Sequence, residues 1–181
     1  YYFVTEKETA GRTMEKAASA DGATLQVTVF DDYVLHEEEL VSVNNSGREL
    51  YGESFTSTLS RDFTISVPGI TNDEGKATLS FISRGNGTIT MKVDGNSLIS
   101  GSVSVPSDEY EVARELYRER AWTAGKSETV KVNIGYSTAG HKNVHLNYFR
   151  LQMKRQLKVY DNYTFFRSLS AVGNASRFVI Q

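Results

Sequence analysis

Cysteine is absent from this chain, and only two prolines and one tryptophan occur in its 181 residues. The missing cysteine excludes a disulfide framework, a thiolate metal site and any cysteine nucleophile on these residues. No stretch approaches the roughly 18 consecutive apolar residues that a membrane helix requires, so direct membrane insertion is not expected. Neither sign of charge dominates: 20 Lys+Arg face 22 Asp+Glu, a net of −2. That balance gives no global reason to expect a nucleic-acid partner. What is present is an apolar fraction of 39% with 11% aromatics, enough for a core and too much for a disordered or low-complexity chain. No internal repeat and no linker divides the chain, so residues 1–181 read as a single domain. Its ends, Tyr1-Tyr2-Phe3-Val4-Thr5 and Arg177-Phe178-Val179-Ile180-Gln181, are strand-like where termini are usually polar. They read as cuts through a longer polypeptide.

Period-2 alternation organises the rest. Leu25, Val27 and Val29 alternate with Thr24, Gln26 and Thr28, and the run continues through Phe30 to Tyr33 and Leu35. Phe63, Ile65 and Val67 repeat the pattern, as do Ala77, Leu79 and Phe81, then Ile89, Met91 and Val93. Val103 and Val105, Val130 to Ile134, the set Val144, Leu146 and Tyr148, Phe165-Phe166 and Phe178 to Ile180 complete the series. About ten short strands with turn residues every 8–12 positions predict an all-β, antiparallel, jelly-roll-like β-sandwich. Two segments fit less well. Met14 to Ala20 suits a short helical turn. Tyr110 to Trp122 has helix formers at helical spacing, yet a long strand with a bulge agrees better with its surroundings.

Few residues suggest chemistry. His141 and His145 lie four apart, a metal-ligand spacing on a helix only, and here they enter a strand. His36 precedes Glu37-Glu38-Glu39, which reads as a solvated loop or helix start. Asn72-Asp73-Glu74-Gly75, Asp94-Gly95-Asn96 and Gly85-Asn86-Gly87 read as hairpin turns, without the alternating carboxylates of a calcium loop. No catalytic constellation, metal site or cofactor is expected. Residues 141–181 carry seven Lys+Arg and the single acid Asp161; Arg150, Lys154, Arg155 and Lys158 cluster there as an anion surface or a protected strand edge. Most aromatics sit on alternating positions and are expected in the core. Exposure of Trp122 would instead suit sugar stacking, the basis of an alternative reading as a carbohydrate-binding sandwich.

One segment is neither alternating nor a plain turn: Asn45-Ser46-Gly47-Arg48-Glu49-Leu50-Tyr51-Gly52-Glu53-Ser54-Phe55. Gly47 and Gly52 permit unusual backbone angles. Arg48 lies between Glu49 and Glu53, and guanidinium forks pair well with carboxylates. Tyr51 and Phe55 supply apolar anchors. The expectation is a buried or half-buried ionic cluster from which removal of Arg48 would cost about 3–5 kcal/mol.

Asp31 to Phe55, DDYVLHEEELVSVNNSGRELYGESF, resembles the Ser-Gly-Arg-Glu-aromatic-aromatic-Gly-Glu-x-Phe region of gingipain-like cysteine peptidases of the type IX secretion sortase kind. The opening YYFVTEKE is similar to a strand of that family. Val144 to Phe166 resembles its Leu-Asp-Tyr…Arg-x-Leu strand through Leu146, Tyr148, Arg155 and Leu157. Leu50 replaces the family's usual Trp, and Asn147 replaces its Asp. The resemblance implies an N-terminal, non-catalytic domain that packs on or orients a downstream catalytic domain and helps recognise exported protein substrates. It implies a chain exported to the bacterial cell surface, outer membrane or periplasm. The family's catalytic Cys and His belong downstream of Gln181, so none of them maps onto this chain.

Overall fold

The computed structural model describes residues 22–45, 47–125 and 127–181. The opening YYFVTEKE and the expected helical turn at Met14 to Ala20 lie outside the described residues. Ten strands follow one another: β1 (Leu25–Val27), β2 (Val29–Glu37), β3 (Ser60–Ser66), β4 (Glu74–Ser83), β5 (Gly87–Val93), β6 (Asn96–Val103), β7 (Arg114–Thr123), β8 (Thr129–Tyr136), β9 (His145–Gln156) and β10 (Ser176–Phe178). The only helical element among the described residues is a 3-10 turn, Leu169–Ala171.

Two four-stranded sheets stack as a sandwich, the front sheet in the order β2-β9-β4-β7 and the back sheet β3-β8-β5-β6. All pairings within them are antiparallel. From β2 to β9 the chain changes sheet at every connection except the β5–β6 hairpin, the winding of a jelly roll. That hairpin turns on Asp94 and Gly95, with φ of 48° and 82°, the left-handed pair a two-residue turn requires. Gly85-Asn86-Gly87, by contrast, is not a hairpin turn. It carries the chain from β4 in the front sheet to β5 in the back one.

Alternation places the core as expected for most strands. Leu79 and Phe81 of β4, Ile89 and Met91 of β5, Ile134 of β8, and Leu146, Phe149 and Leu151 of β9 are fully buried between the sheets. Each large apolar side chain removed from water contributes about 1.5–3 kcal/mol. The inner face of edge strand β7 also carries Arg118 and Arg120, opposite Leu79 and Ala77. Both remain exposed, and inward-pointing charge on an edge strand discourages pairing with another chain.

Three expectations about faces are corrected. The strand through residue 25 to 35 is broken at Thr28, whose carbonyl accepts the Leu157 N–H at 2.8 Å. The break shifts the phase by one residue, so Val27 and Phe30 are buried while Tyr33 and Leu35 stand outside, 46% and 44% exposed. A one-residue slip exchanges the faces of a strand. On β9 the register with β4 shifts between Ser80 and Phe81, making Asn147 an extra residue. Leu146 therefore points inward and Tyr148 outward, not to one shared face. Tyr110 to Ala113 form a loop, and the expected strand begins only at Arg114.

The chain after β9 folds back along β2. Asp31 N–H donates to Arg167 O at 2.9 Å, and β10 pairs in parallel with β1. Phe30, Phe166 and Phe178 form a small second cluster there, but Phe165-Phe166 is not a strand.

Candidate functional site

The recognisable loop sits at one end of the front sheet, and its two halves are built differently. Gly52 N–H donates to Leu146 O at 2.8 Å, Leu146 N–H to Glu53 O at 3.0 Å, and Phe55 N–H to Val144 O at 2.7 Å. These bonds clamp residues 52–55 onto the start of β9. Phe55 is fully buried, edge-on to Phe81 with ring centres 5.0 Å apart. Gly52 is required by close approach and not by its backbone angle: a Cβ there would lie 3.2 Å from Glu38 O and 3.3 Å from Leu146 O. His145 is buried and its Nδ1 is 3.1 Å from Gly52 O. Burial lowers its pKa, which favours the neutral ring with Nδ1–H donating to that carbonyl.

Of the residues in the ionic cluster expected around Arg48, Glu53 and Glu49 have these contacts. Glu53 turns to His36, with Oε1 2.7 Å from Nε2. His36 closes β2 on the side of Phe63 and Phe149, stacked on the latter at 5.0 Å. The run His36 to Glu39 is thus a strand end at His36-Glu37 followed by the exposed loop Glu38-Glu39, and not a helix start. Glu49 accepts a hydrogen bond from Tyr51 Oη at 2.8 Å. Burial and the Glu49 carboxylate together hold the Tyr51 phenol up at about 12. Arg48 and Glu49 are both exposed, and Gly47 takes a left-handed φ of 65°.

Below this loop extends the outer face of the front sheet, which the sequence reading did not single out. Thr78 and Ser80 of β4 point outward yet are fully buried, because long neighbours lie over them. Ser80 Oγ donates to Glu115 at 2.7 Å and accepts from Asn147 Nδ2 at 3.0 Å. Glu119 receives Tyr117 Oη at 2.9 Å and Thr78 Oγ1 at 3.2 Å. Lys76 Nζ and Arg150 Nη2 lie 3.4 and 3.8 Å from the same carboxylate. The Tyr117 hydrogen bond holds the Glu119 carboxyl below its ordinary range and in turn raises the Tyr117 phenol. The alternation Glu115, Tyr117, Glu119 was visible in the sequence, but it becomes a face only once β7 is assigned as a strand.

Two clefts open on this face. One of about 590 Å³ lies beneath the loop, between Tyr51, Leu50 and Glu49 on one side and Val112 and Ala113 on the other. The second, about 720 Å³, lies among Tyr33, Lys76, Arg150, Lys154 and Arg167. Among the described residues no group of three His, Asp or Glu side chains is placed to hold a metal ion. Nor is any helix there long and apolar enough to cross a membrane.

Trp122 is not available to a sugar. It is buried at the inner end of β7, and its Nε1–H donates to Gln152 O at 3.0 Å. Of the basic positions, Arg150 and Lys154 line the second cleft. Arg155 is structural: it pairs with Asp32 at 2.7 Å, donates to Pro68 O at 2.7 Å and stacks 4.1 Å over Tyr160.

No family model matches the chain, and no curated protein sequence matches it. Solved structures do. A family 35 carbohydrate-binding module from Clostridium thermocellum aligns over 68% of this chain and 95% of its own, at 13% identity and a TM-score of 0.40. The family 35 module of Cellvibrio japonicus Abf62 aligns over 69% and 97%, at 10% identity and a TM-score of 0.39. Both are too distant to bear on function. Dimeric latent PorU from Porphyromonas gingivalis aligns over 91% of this chain at 23% identity and a TM-score of 0.76. The chain spans 17% of PorU's length, and what the two share is the fold of that segment.

Proposed function

We propose that this chain is a non-catalytic accessory β domain of a gingipain-like cysteine peptidase, which packs on and orients the catalytic domain and helps recognise exported proteins. The observation that carries the reading is the fit of 91% of the chain onto a small part of latent PorU, at a TM-score of 0.76. The resemblance of Asp31 to Phe55 to the gingipain-like pattern supports it independently. So does the position of that segment: it is anchored by Phe55 and Gly52 and forms the rim of a cleft. A chain without cysteine has no thiol nucleophile, so peptidase chemistry belongs to the partner domain. In this reading the domain works after export, at the bacterial cell surface, outer membrane or periplasm.

The test mixes the 181-residue chain with a separately produced gingipain-like catalytic domain of the same organism. A one-to-one complex on gel filtration, with no casein hydrolysis by the chain alone, is the expected result. Absence of a complex, or glycan-array binding by the isolated chain, overturns the proposal; the second result would favour a carbohydrate-binding module despite the burial of Trp122.

A further inference from the structure

The two clefts share one sheet face, and the register fixes their separation. Glu37 lies opposite Tyr148 at one end of the β2–β9 pair, and Asp31 opposite Lys154 at the other. Six residue steps along a strand span about 20 Å. Between them the floor is a fixed array of Tyr117, Glu119, Arg150 and Tyr148 over buried Thr78 and Ser80.

The ends differ in sign. Around the cleft beneath the loop stand Glu37, Glu39, Glu49 and Glu115, with Arg48 the one cation among the described residues of its lining. Polar groups make up most of its lining, and Val43, Leu50, Ile82, Val112 and Ala113 supply the apolar remainder. Two of the carboxylates are held in place, Glu49 by Tyr51 and Glu115 by Ser80. Fixed carboxylates suit the charged head of a lysine or arginine side chain, and the apolar residues between them suit its methylene stem. The other cleft holds Lys76, Arg150, Lys154 and Arg167 against Asp31, Asp32 and Glu74. Asp32 is taken by Arg155, and Asp31 accepts the Leu169 N–H at 2.7 Å. The Arg150 Nε is buried with no partner among the described residues. Lys76 and Arg150 already face Glu119, so the four cations here meet Asp31, Glu74 and Glu119, an excess of one positive charge.

A bulky flat partner would meet Val43, Asn44 and residues 48–51 at one end and Arg167 and Leu169 at the other, all of which line the clefts. An extended chain fits between them. From this geometry we infer that the outer face of the front sheet docks an extended peptide segment of about six to eight residues, cationic at one end and anionic at the other. The inference does not require the function proposed above, and its test is separate from the test for a complex with a catalytic domain.

Fluorescence anisotropy at low salt tests it with two labelled peptides of about eight residues and identical composition. One has lysines at one end and glutamates at the other; the second interleaves them. The intact chain is expected to bind the block peptide about tenfold or more tighter than the interleaved one. E37K/E39K and K76E/K154E, all four on the rims, should each remove that preference. E37K/E39K should in addition gain affinity for a wholly acidic peptide, a gain that mere loss of folding cannot produce. T64K, on the outer face of the back sheet, should change nothing. Equal binding of the two peptides overturns the proposal, as does a preference indifferent to both double variants. So does a dimer, detected by sedimentation of the free chain, that E37K/E39K dissociates, because a second copy would then occupy the face.

Discussion

The two halves of the loop between Gly47 and Phe55 are continuous in sequence and opposite in construction. Residues 52–55 are bonded to β9 through three backbone hydrogen bonds and end in a fully buried phenylalanine. Residues 47–50 are exposed, and turn on a glycine with a left-handed φ. One half is a staple and the other a rim. A motif that looks uniform as a string therefore combines residues packed into the core with residues exposed to solvent. The two should respond differently to substitution.

The largest effect is expected at the staple. Phe55→Ala removes a ring packed on Phe81 and should lower stability by about 3–5 kcal/mol, read as a shift in the urea midpoint. A loss below about 1 kcal/mol would mean that the loop is not part of the core. Gly52→Ala should cost about 1–3 kcal/mol, since its Cβ must displace Glu38 or the β9 strand by a few tenths of an ångström. Faster hydrogen exchange at the Leu146 and Phe55 amides would place the damage at the clamp.

His145 adds a pH dependence to the same half. Burial puts its folded pKa below the ordinary 6.5, so between the two values the unfolded chain binds the proton more readily. The stability is complete above pH 6.5 and declines as the pH falls toward the folded value, by no more than about 1.4 kcal/mol per pH unit. Urea midpoints at successive pH values should show this slope, and His145→Gln should flatten it. An unchanged slope in the variant would remove His145 from the account. The smallest effect belongs to the rim. Because Arg48 is exposed, Arg48→Ala should shift stability by about 0.5 kcal/mol or less, well short of the buried-pair cost the sequence suggested. A larger thermal shift would return Arg48 to the staple.

The outer faces of the two sheets extend the contrast. The back sheet presents Ser60, Asp62 and Thr64 of β3 and Thr129, Lys131 and Asn133 of β8, most of them exposed. The front sheet presents Tyr117, Glu119 and Arg150, linked to one another, with Tyr148 beside Arg150 in β9 and Thr78 and Ser80 buried beneath. Short polar residues make a solvated wall. Long residues in a hydrogen-bonded array make a surface with fixed shape and charge, which is why the candidate interface belongs to the front.

Alternation determined a great deal without coordinates. The inward sets Ala77-Leu79-Phe81, Ile89-Met91-Val93 and Val130-Val132-Ile134 follow directly from period 2, because a strand has only two faces and apolar area selects one. The two-sheet β class followed with them, as did the anchoring role of Phe55. Tertiary structure decided what depends on partners distant in sequence. A turn such as Gly85-Asn86-Gly87 reads alike whether it closes a hairpin or crosses between sheets. The break at Thr28 and the extra residue Asn147 turned Tyr33, Leu35 and Tyr148 outward, against their apparent phase. Glu53 lies against His36, 17 residues away in sequence. Local pattern sets which residues leave water; only the packed sheets set which charged and aromatic groups stand together, because that juxtaposition is made by register between strands and not by spacing along one.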